Sequence, residues 1–230
     1  MGSFWRKLGI GRKSNGEEYQ ARNSYSQDGE DMVLHAFFER YPHNYRGFYI
    51  DVGAHDPFRF SNTQYFYEKN WSGINIEPTP DLFARFKQHR KRDININTGI
   101  ANEKGEMTFY CFDEPALNSF SRELSMDRHT NTSYTIVKEV PVPVSPLSEV
   151  LDKYLPAGQH INFMSVDVEG LDLDVLKSNN WTKYRPDYLL VEDILPFAEV
   201  NTSDVYHFLS EHRYHLVAKT IRTLVFQAGK

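Results

Sequence analysis

Phe48-Tyr49-Ile50-Asp51-Val52-Gly53-Ala54-His55-Asp56-Pro57 is the stretch on which the fold of this chain turns. A run of apolar, β-forming residues leads into Asp-Val-Gly, and a polar turn closed by Pro57 follows. That is the pattern of a buried parallel strand ending at a ligand-binding turn. Gly53 permits close backbone approach to a ligand or a bend at positive φ. Asp51 stands at the carboxyl end of the strand, where open α/β sheets place their ligands. A second such run, Gly73-Ile74-Asn75-Ile76-Glu77-Pro78, also ends on an acid. Glu77 is suited to accept both hydroxyls of a ribose. A single acid at such a place is more often a solvated turn carboxylate. Two strand-end acids with a glycine turn favour a nucleotide-binding edge.

The flanking segments extend this into a regular alternation. Ser26-Gln27-Asp28-Gly29-Glu30-Asp31 precedes Val33, Leu34, Phe37, Phe38 and Tyr41, a helical stripe stopped by Pro42, with Ser26 or Asp28 as the expected N-cap. Ser61-Asn62-Thr63 opens a short helix carrying Tyr65 and Phe66, and Thr79-Pro80 reads as N-cap and first helical position. Ile94 to Asn97 alternates as a third strand. Helix and strand thus alternate as in α/β proteins with a parallel sheet. Residues 105–145 break the rhythm: Met107 to Phe112 is a strand, Asp113 to Arg128 is loop-like, and Thr135 to Val144 is extended again. This reads as an inserted hairpin or flap, the expected source of substrate specificity. The alternation then resumes. A helix opens at Ser145-Pro146. A buried strand ends in Asp167-Val168-Glu169-Gly170, and another ends in Glu192-Asp193. A helix over Asn201 to His212 and a terminal hairpin follow.

At 230 residues the chain forms one large domain or two small ones, and its net charge of −5 gives no footprint for nucleic acid. Cys111 is the only cysteine, which excludes an intrachain disulfide and fits a reducing, cytoplasmic setting. No apolar run is long enough to span a membrane. Residues 1–24 read as a tail ahead of a domain over 25–230. Within the tail, Phe4, Trp5, Leu8 and Ile10 interleave with Arg6, Lys7, Arg12 and Lys13. A basic amphipathic anchor touching a membrane over residues 4–13 is one reading. A frayed terminus is the other, and the glycines at 9 and 11 favour it. A dinucleotide-dependent oxidoreductase would want a phosphate-cradling Gly-x-Gly-x-x-Gly turn, which Gly53 to Pro57 lacks. A non-catalytic binding module on such a scaffold should have lost its strand-end acids, and here they remain.

Taken together, the segments 26–31, 49–57, 61–63, Trp71 to Pro78, Phe112 to Ser121 and Val166 to Gly170 resemble the FkbM family of S-adenosylmethionine-dependent methyltransferases, in that family's order. The resemblance implies the Rossmann-like class I methyltransferase fold. In it a seven-stranded, mostly parallel sheet has helices on both faces and an antiparallel last strand. It also implies methyl transfer, commonly to a sugar oxygen, with a small-molecule or glycan acceptor. On it Glu77 takes the ribose, Asp51 and Gly53 lie along the methionine portion, and Gln27 and Asn62 add polar contacts. The chain departs from the broader methyltransferase glycine motif, with His55 and Pro57 where glycines would stand.

The chemistry requires a bound donor, an aligned acceptor and removal of the acceptor's proton. Asp167 and Glu169 lie two apart at a strand end, on one side of an extended chain, and should face the methyl group. Paired carboxylates raise one another's pKa and leave one as a base. Glu169 is alternatively a cap for the following helix. His55 is the other base candidate, or a turn histidine. Asp167, Glu192 and Asp193 end neighbouring strands and form a candidate magnesium or manganese site. Adjacent residues of a strand point to opposite faces, which sets Asp193 against Glu192.

Overall fold

The computed structural model describes residues 21–229. The 4–13 segment therefore lies outside the described residues. Seven strands form the main sheet: β1 (Phe48–Val52), β2 (Ser72–Ile76), β3 (Ile94–Ile96), β7 (Phe163–Val166), β8 (Tyr188–Glu192), β9 (Tyr214–Lys219) and β10 (Thr223–Ala228). Their spatial order is β3-β2-β1-β7-β8-β10-β9. The pairs β3–β2, β2–β1, β1–β7 and β7–β8 are parallel, and β10 runs antiparallel between β8 and β9. This is the class I arrangement expected above. The chain moves outward from β1 to β3, then crosses back to lay β7 against the free side of β1. Such a reversal opens a crevice at the carboxyl ends of the two strands, where open α/β sheets hold ligands.

Alternation along the strands divides the core in two. Ile50, Val52, Met164, Val166, Leu189 and Val191 face one way, against α5 (Leu147–Tyr154), α6 (Asp172–Lys177) and α7 (Asp204–Glu211). Tyr49, Phe163, Tyr188 and Leu190 face the other way, against α1 (Glu30–Phe38) and α2 (Gln64–Glu68). β1 is buried along its whole length, as its continuous apolar run requires of a central parallel strand. The third inner helix, α3 (Pro80–His89), turns Phe86 inward. Among the described residues, no helix is long and apolar enough to cross a membrane.

The insertion forms a second sheet. β5 (Gly105–Phe112) pairs antiparallel with β6 (Ile136–Ser145), and β6 pairs parallel with the short β4 (Gly99–Ile100). The expected loop over 113–128 contains a helix, α4 (Arg122–Asn131). The Ser121 hydroxyl accepts from the Leu124 N–H at 3.3 Å, Glu123 lies in the first turn and Arg128 in the last. Capping and charge placement mark the helix. Its apolar stripe is too sparse to show in the sequence. The cap of α1 also differs from expectation. Gly29, at φ 89°, holds that place, because Asp28 is drawn to the Arg222 guanidinium at 2.9 and 3.0 Å.

Gly53 carries the tightest demand. It sits at φ +78°, and a Cβ there would lie 1.8 Å from the Asp167 carbonyl oxygen. The β1 turn therefore passes against the end of β7 with no room for a side chain. Gly53→Ala is expected to destabilise the protein by about 3 kcal/mol or more, combining αL strain with a backbone clash. Gly105→Ala, with open space around its Cβ, should change stability by less than about 0.5 kcal/mol. Thermal unfolding of the two variants checks the contrast.

Candidate active site

The crevice at the switch point is a cleft of about 910 Å³ counting its open mouth. Gln27, Asp51, Gly53, His55, Asn62, Glu77, Asp167 and Glu169 all line it. The ends of β1, β2 and β7 supply most of these, so the parallel sheet gathers residues that are far apart in the chain.

Glu77 is buried, and its carboxylate is fixed at both oxygens. Oε2 accepts from the His55 N–H at 2.8 Å and Oε1 from the Thr79 N–H at 2.7 Å. Burial pushes its pKa up to about 7, against the pull of those bonds. Asp51 is likewise buried and pushed up to about 6, with the Thr63 hydroxyl donating to its Oδ2 at 2.9 Å. Asn62 donates to the Ser165 hydroxyl at 3.0 Å. The 26–31 motif mostly ties itself down. Asp31 accepts from Ser24, Ser26 and the Tyr25 N–H, and Glu30 accepts from the Thr220 hydroxyl. Gln27 is the member of that motif presented to the cleft.

His55 adopts φ 53°, and its Nε2 is buried without a partner. Burial lowers its pKa, which keeps the imidazole neutral. A buried polar atom without a partner is costly. Such an atom beside an immobilised carboxylate marks a place shaped for a polar ligand, and it suits a polar group of a nucleoside. The fit to an adenosine-bearing donor is therefore good.

Where Asp167 and Glu169 line the cleft, their carboxylate oxygens and those of Glu192 lie within 4.8 Å of one another. Asp167 as a residue is exposed although its carboxylate is crowded by the protein on its inner side, while Glu169 and Glu192 are half-buried. Burial, then the charges of Glu192 and Glu169, drive the Asp167 pKa well above the usual carboxylate range. Glu192 is pushed up to about 8 by burial, then by Glu169 and Asp172. Glu169, at φ 57°, pairs with Arg128, which also donates to the Leu117 carbonyl at 3.2 Å. Glu169 does not cap the following helix, whose N-cap position Leu171 makes no side-chain cap bond; Asp172, in its first turn, instead holds the preceding turn by accepting from the Val168 and Gly170 N–H groups at 3.1 and 3.2 Å.

Asp193 does not join this group. Its carboxylate accepts from the Leu195 N–H at 2.9 Å and from the Ser203 hydroxyl, where it holds the loop leading into α7. The expected set of Asp167, Glu192 and Asp193 is thus corrected to Asp167, Glu169 and Glu192, as strand alternation requires. Arg128 had no signal in the sequence, since it belongs to a helix that lacks a visible stripe. The insertion also supplies Phe109, Pro115, Ala116, Asn118 and Phe120 to the cleft. A two-pronged Arg59–Glu114 pair at 2.8 and 3.1 Å ties that roof to the β1 turn.

The Methyltransferase FkbM domain matches residues 51–216, most of the chain. No curated protein sequence matches. Among solved structures, methyltransferase FkbM from Methylobacillus flagellatus KT is similar at 13% identity and a TM-score of 0.49, covering 88% of this chain and 48% of that one. The chain thus spans about half the length of that relative. Precorrin-6y C5,15-methyltransferase from Geobacter metallireducens GS-15 is similar at 10% identity and a TM-score of 0.47, covering 93% and 95% of the two chains. The O-methyltransferase TomG from Streptomyces achromogenes, solved with S-adenosylmethionine, is similar at 10% identity and a TM-score of 0.44, covering 98% and 86%.

Glu77→Ala is expected to weaken S-adenosylmethionine binding by about 1.5–3 kcal/mol, the scale of a hydrogen bond to a charged group. Glu77→Gln, which keeps the shape, should lose less. Titration calorimetry reads both, and unchanged affinity in the alanine variant would remove Glu77 from the binding site.

Proposed function

The chain belongs to the FkbM family of S-adenosylmethionine-dependent methyltransferases, and we propose that it methylates a hydroxyl oxygen of a sugar-like acceptor. The observation that carries this reading is the meeting of Asp167, Glu169 and Glu192 within 4.8 Å, two of which, Asp167 and Glu169, line the cleft that also holds Glu77. Adenosylmethionine, when bound, supplies a methyl group already activated on a sulfonium. Glu77 holds the ribose hydroxyls, and Asp51, Gly53, Gln27 and Asn62 orient the amino-acid end. The acid group then serves twice. Its oxygens accept hydrogen bonds from neighbouring hydroxyls of a polyol, and one of them takes the proton of the reacting hydroxyl.

Arg128 pairs with Glu169, and crowding of the acids raises both Asp167 and Glu192, the latter to about 8. A group that titrates there suits a general base. His55 is the alternative proton acceptor on the cleft wall. The insertion, which roofs the cleft with aromatic residues, selects the acceptor. Magnesium or manganese fits poorly here. Arg128 already brings a positive charge onto one of the three acids, and Asp193 is engaged elsewhere. Function in a reducing compartment such as the cytoplasm accords with the lone Cys111.

Mass spectrometry of products from a panel of nucleotide sugars and glycans tests the reading. The expected product carries one added methyl on oxygen, formed equally well after exhaustive chelation. Transfer to nitrogen or carbon would overturn it. Because the base must be deprotonated, kcat/KM should rise with pH through the titration of the acid group. Glu192→Gln should lower kcat by about 100-fold while leaving adenosylmethionine affinity within a few-fold.

A further inference from the structure

Behind the cleft wall lies Arg90, a fully buried arginine at the C-terminal end of α3. Nη1 donates to the Tyr49 hydroxyl at 3.0 Å. Nη2 donates to the Pro57 carbonyl at 2.9 Å, Ser61 Oγ at 3.0 Å and Thr63 Oγ1 at 3.3 Å. The rings of Tyr67 and Phe86 flank the guanidinium at 4.8 and 5.8 Å. Its nearest acid, Asp93, stands off at 3.5 Å. Asp93 takes closer bonds from neutral donors: Tyr49 Oη at 2.6 Å, and Gly73 N and Asn75 Nδ2 at 3.0 Å. The buried cation is therefore not spent on a tight ion pair. It is directed at the segment 57–63, the wall that carries Phe60 and Asn62 into the cleft.

The direction of the hydrogen bonds follows from chemistry. A guanidinium only donates. Thr63, accepting from Arg90, must spend its single proton elsewhere, and Asp51 Oδ2 lies 2.9 Å away. Among the described residues this is the one side-chain hydrogen bond Asp51 makes. The relay Arg90 to Thr63 to Asp51 thus presents a donor to the acid, a polarity that favours the carboxylate over the protonated acid. We propose that Arg90 is a positioning residue which, through Thr63, holds Asp51 as an oriented anion for the ammonium of the methyl donor. The proposal rests on the reading of Asp51 as a contact to the amino-acid end of adenosylmethionine.

The electrostatics around Asp51 agree with this. Burial raises it, and the Thr63 bond and the Arg90 charge oppose that rise. The other groups facing it are Asp93 from the turn after α3, Tyr49 on its own strand, Glu77 from β2 and Asp167 from β7. Three of these are acids and one is a phenol, so Arg90 is the cation that works against them.

The test is adenosylmethionine affinity by titration calorimetry from about pH 5.5 to about pH 8.5, with thermal unfolding as the folding control. In the unmodified protein, affinity should rise with pH as Asp51 ionises. Thr63→Val keeps the shape and the cation but breaks the relay, and Arg90→Lys keeps the charge but not the fork. Both should move the rise to higher pH, costing about threefold in affinity near pH 6.5, close to tenfold near pH 5.5 and almost nothing near pH 8.5, the effect of about one pKa unit. A uniform loss at every pH in Thr63→Val, or no change in either variant, would overturn the proposal and leave Arg90 a purely structural tie. Asp51→Asn separates the two readings. If it abolishes the component of the rise that Thr63→Val displaces, Asp51 is the titrating contact. If it binds with unchanged affinity and pH dependence, the assignment of Asp51 itself fails, and the proposal with it.

Discussion

Parallel strands all end on the same edge of a sheet, and the acids that end them here are crowded along one rim. Asp51, Glu77, Asp167 and Glu192 stand at the carboxyl ends of four such strands. Each therefore has its folded-state pKa raised: to about 6 for Asp51, about 7 for Glu77, about 8 for Glu192, and well upward for Asp167. An acid shifted in this direction contributes stability that is full below its unfolded pKa and is lost as pH rises through the folded value. Between about pH 4 and pH 8 this edge therefore weakens the fold progressively. A ligand with a sulfonium and an ammonium relieves that cost where two surface carboxylates would gain little.

The protein offsets the remaining charge with devices set behind or beside each acid. Two backbone N–H groups hold Glu77. A threonine hydroxyl backed by a buried arginine holds Asp51. Arg128, arriving on the inserted helix, holds Glu169. On the proposed function, the third device links acceptor choice to proton removal, because the segment that roofs the cleft also pairs with one of the three acids. An acceptor that displaces α4 would alter that pairing as well as the shape of the site.

Much of this was legible from local pattern. The strand-end acids, Gly53 and the seven-stranded order follow from apolar runs, turn residues and the family resemblance, and they place Glu77, Asp51 and Asp167 on one rim. What was not legible depended on contacts distant in the chain. Helix α4 carries little apolar surface, so no periodicity announced it, and Arg128 was hidden with it. Asp193 reads as a site acid by position, but the Ser203 hydroxyl and the Leu195 N–H take its carboxylate. Arg90 carries no signal in the local sequence. Its zero exposure arises only when the 57–63 segment folds over it.

The central claim is that this rim holds the methyl donor with its reactive end toward the three acids. A structure of the protein with adenosylmethionine bound tests it most directly. The account predicts the ribose hydroxyls on Glu77, the amino-acid end beside Asp51, and the methyl carbon facing the group of Asp167, Glu169 and Glu192. A donor bound with its ribose away from Glu77, or with its methyl directed away from those carboxylates, would contradict it.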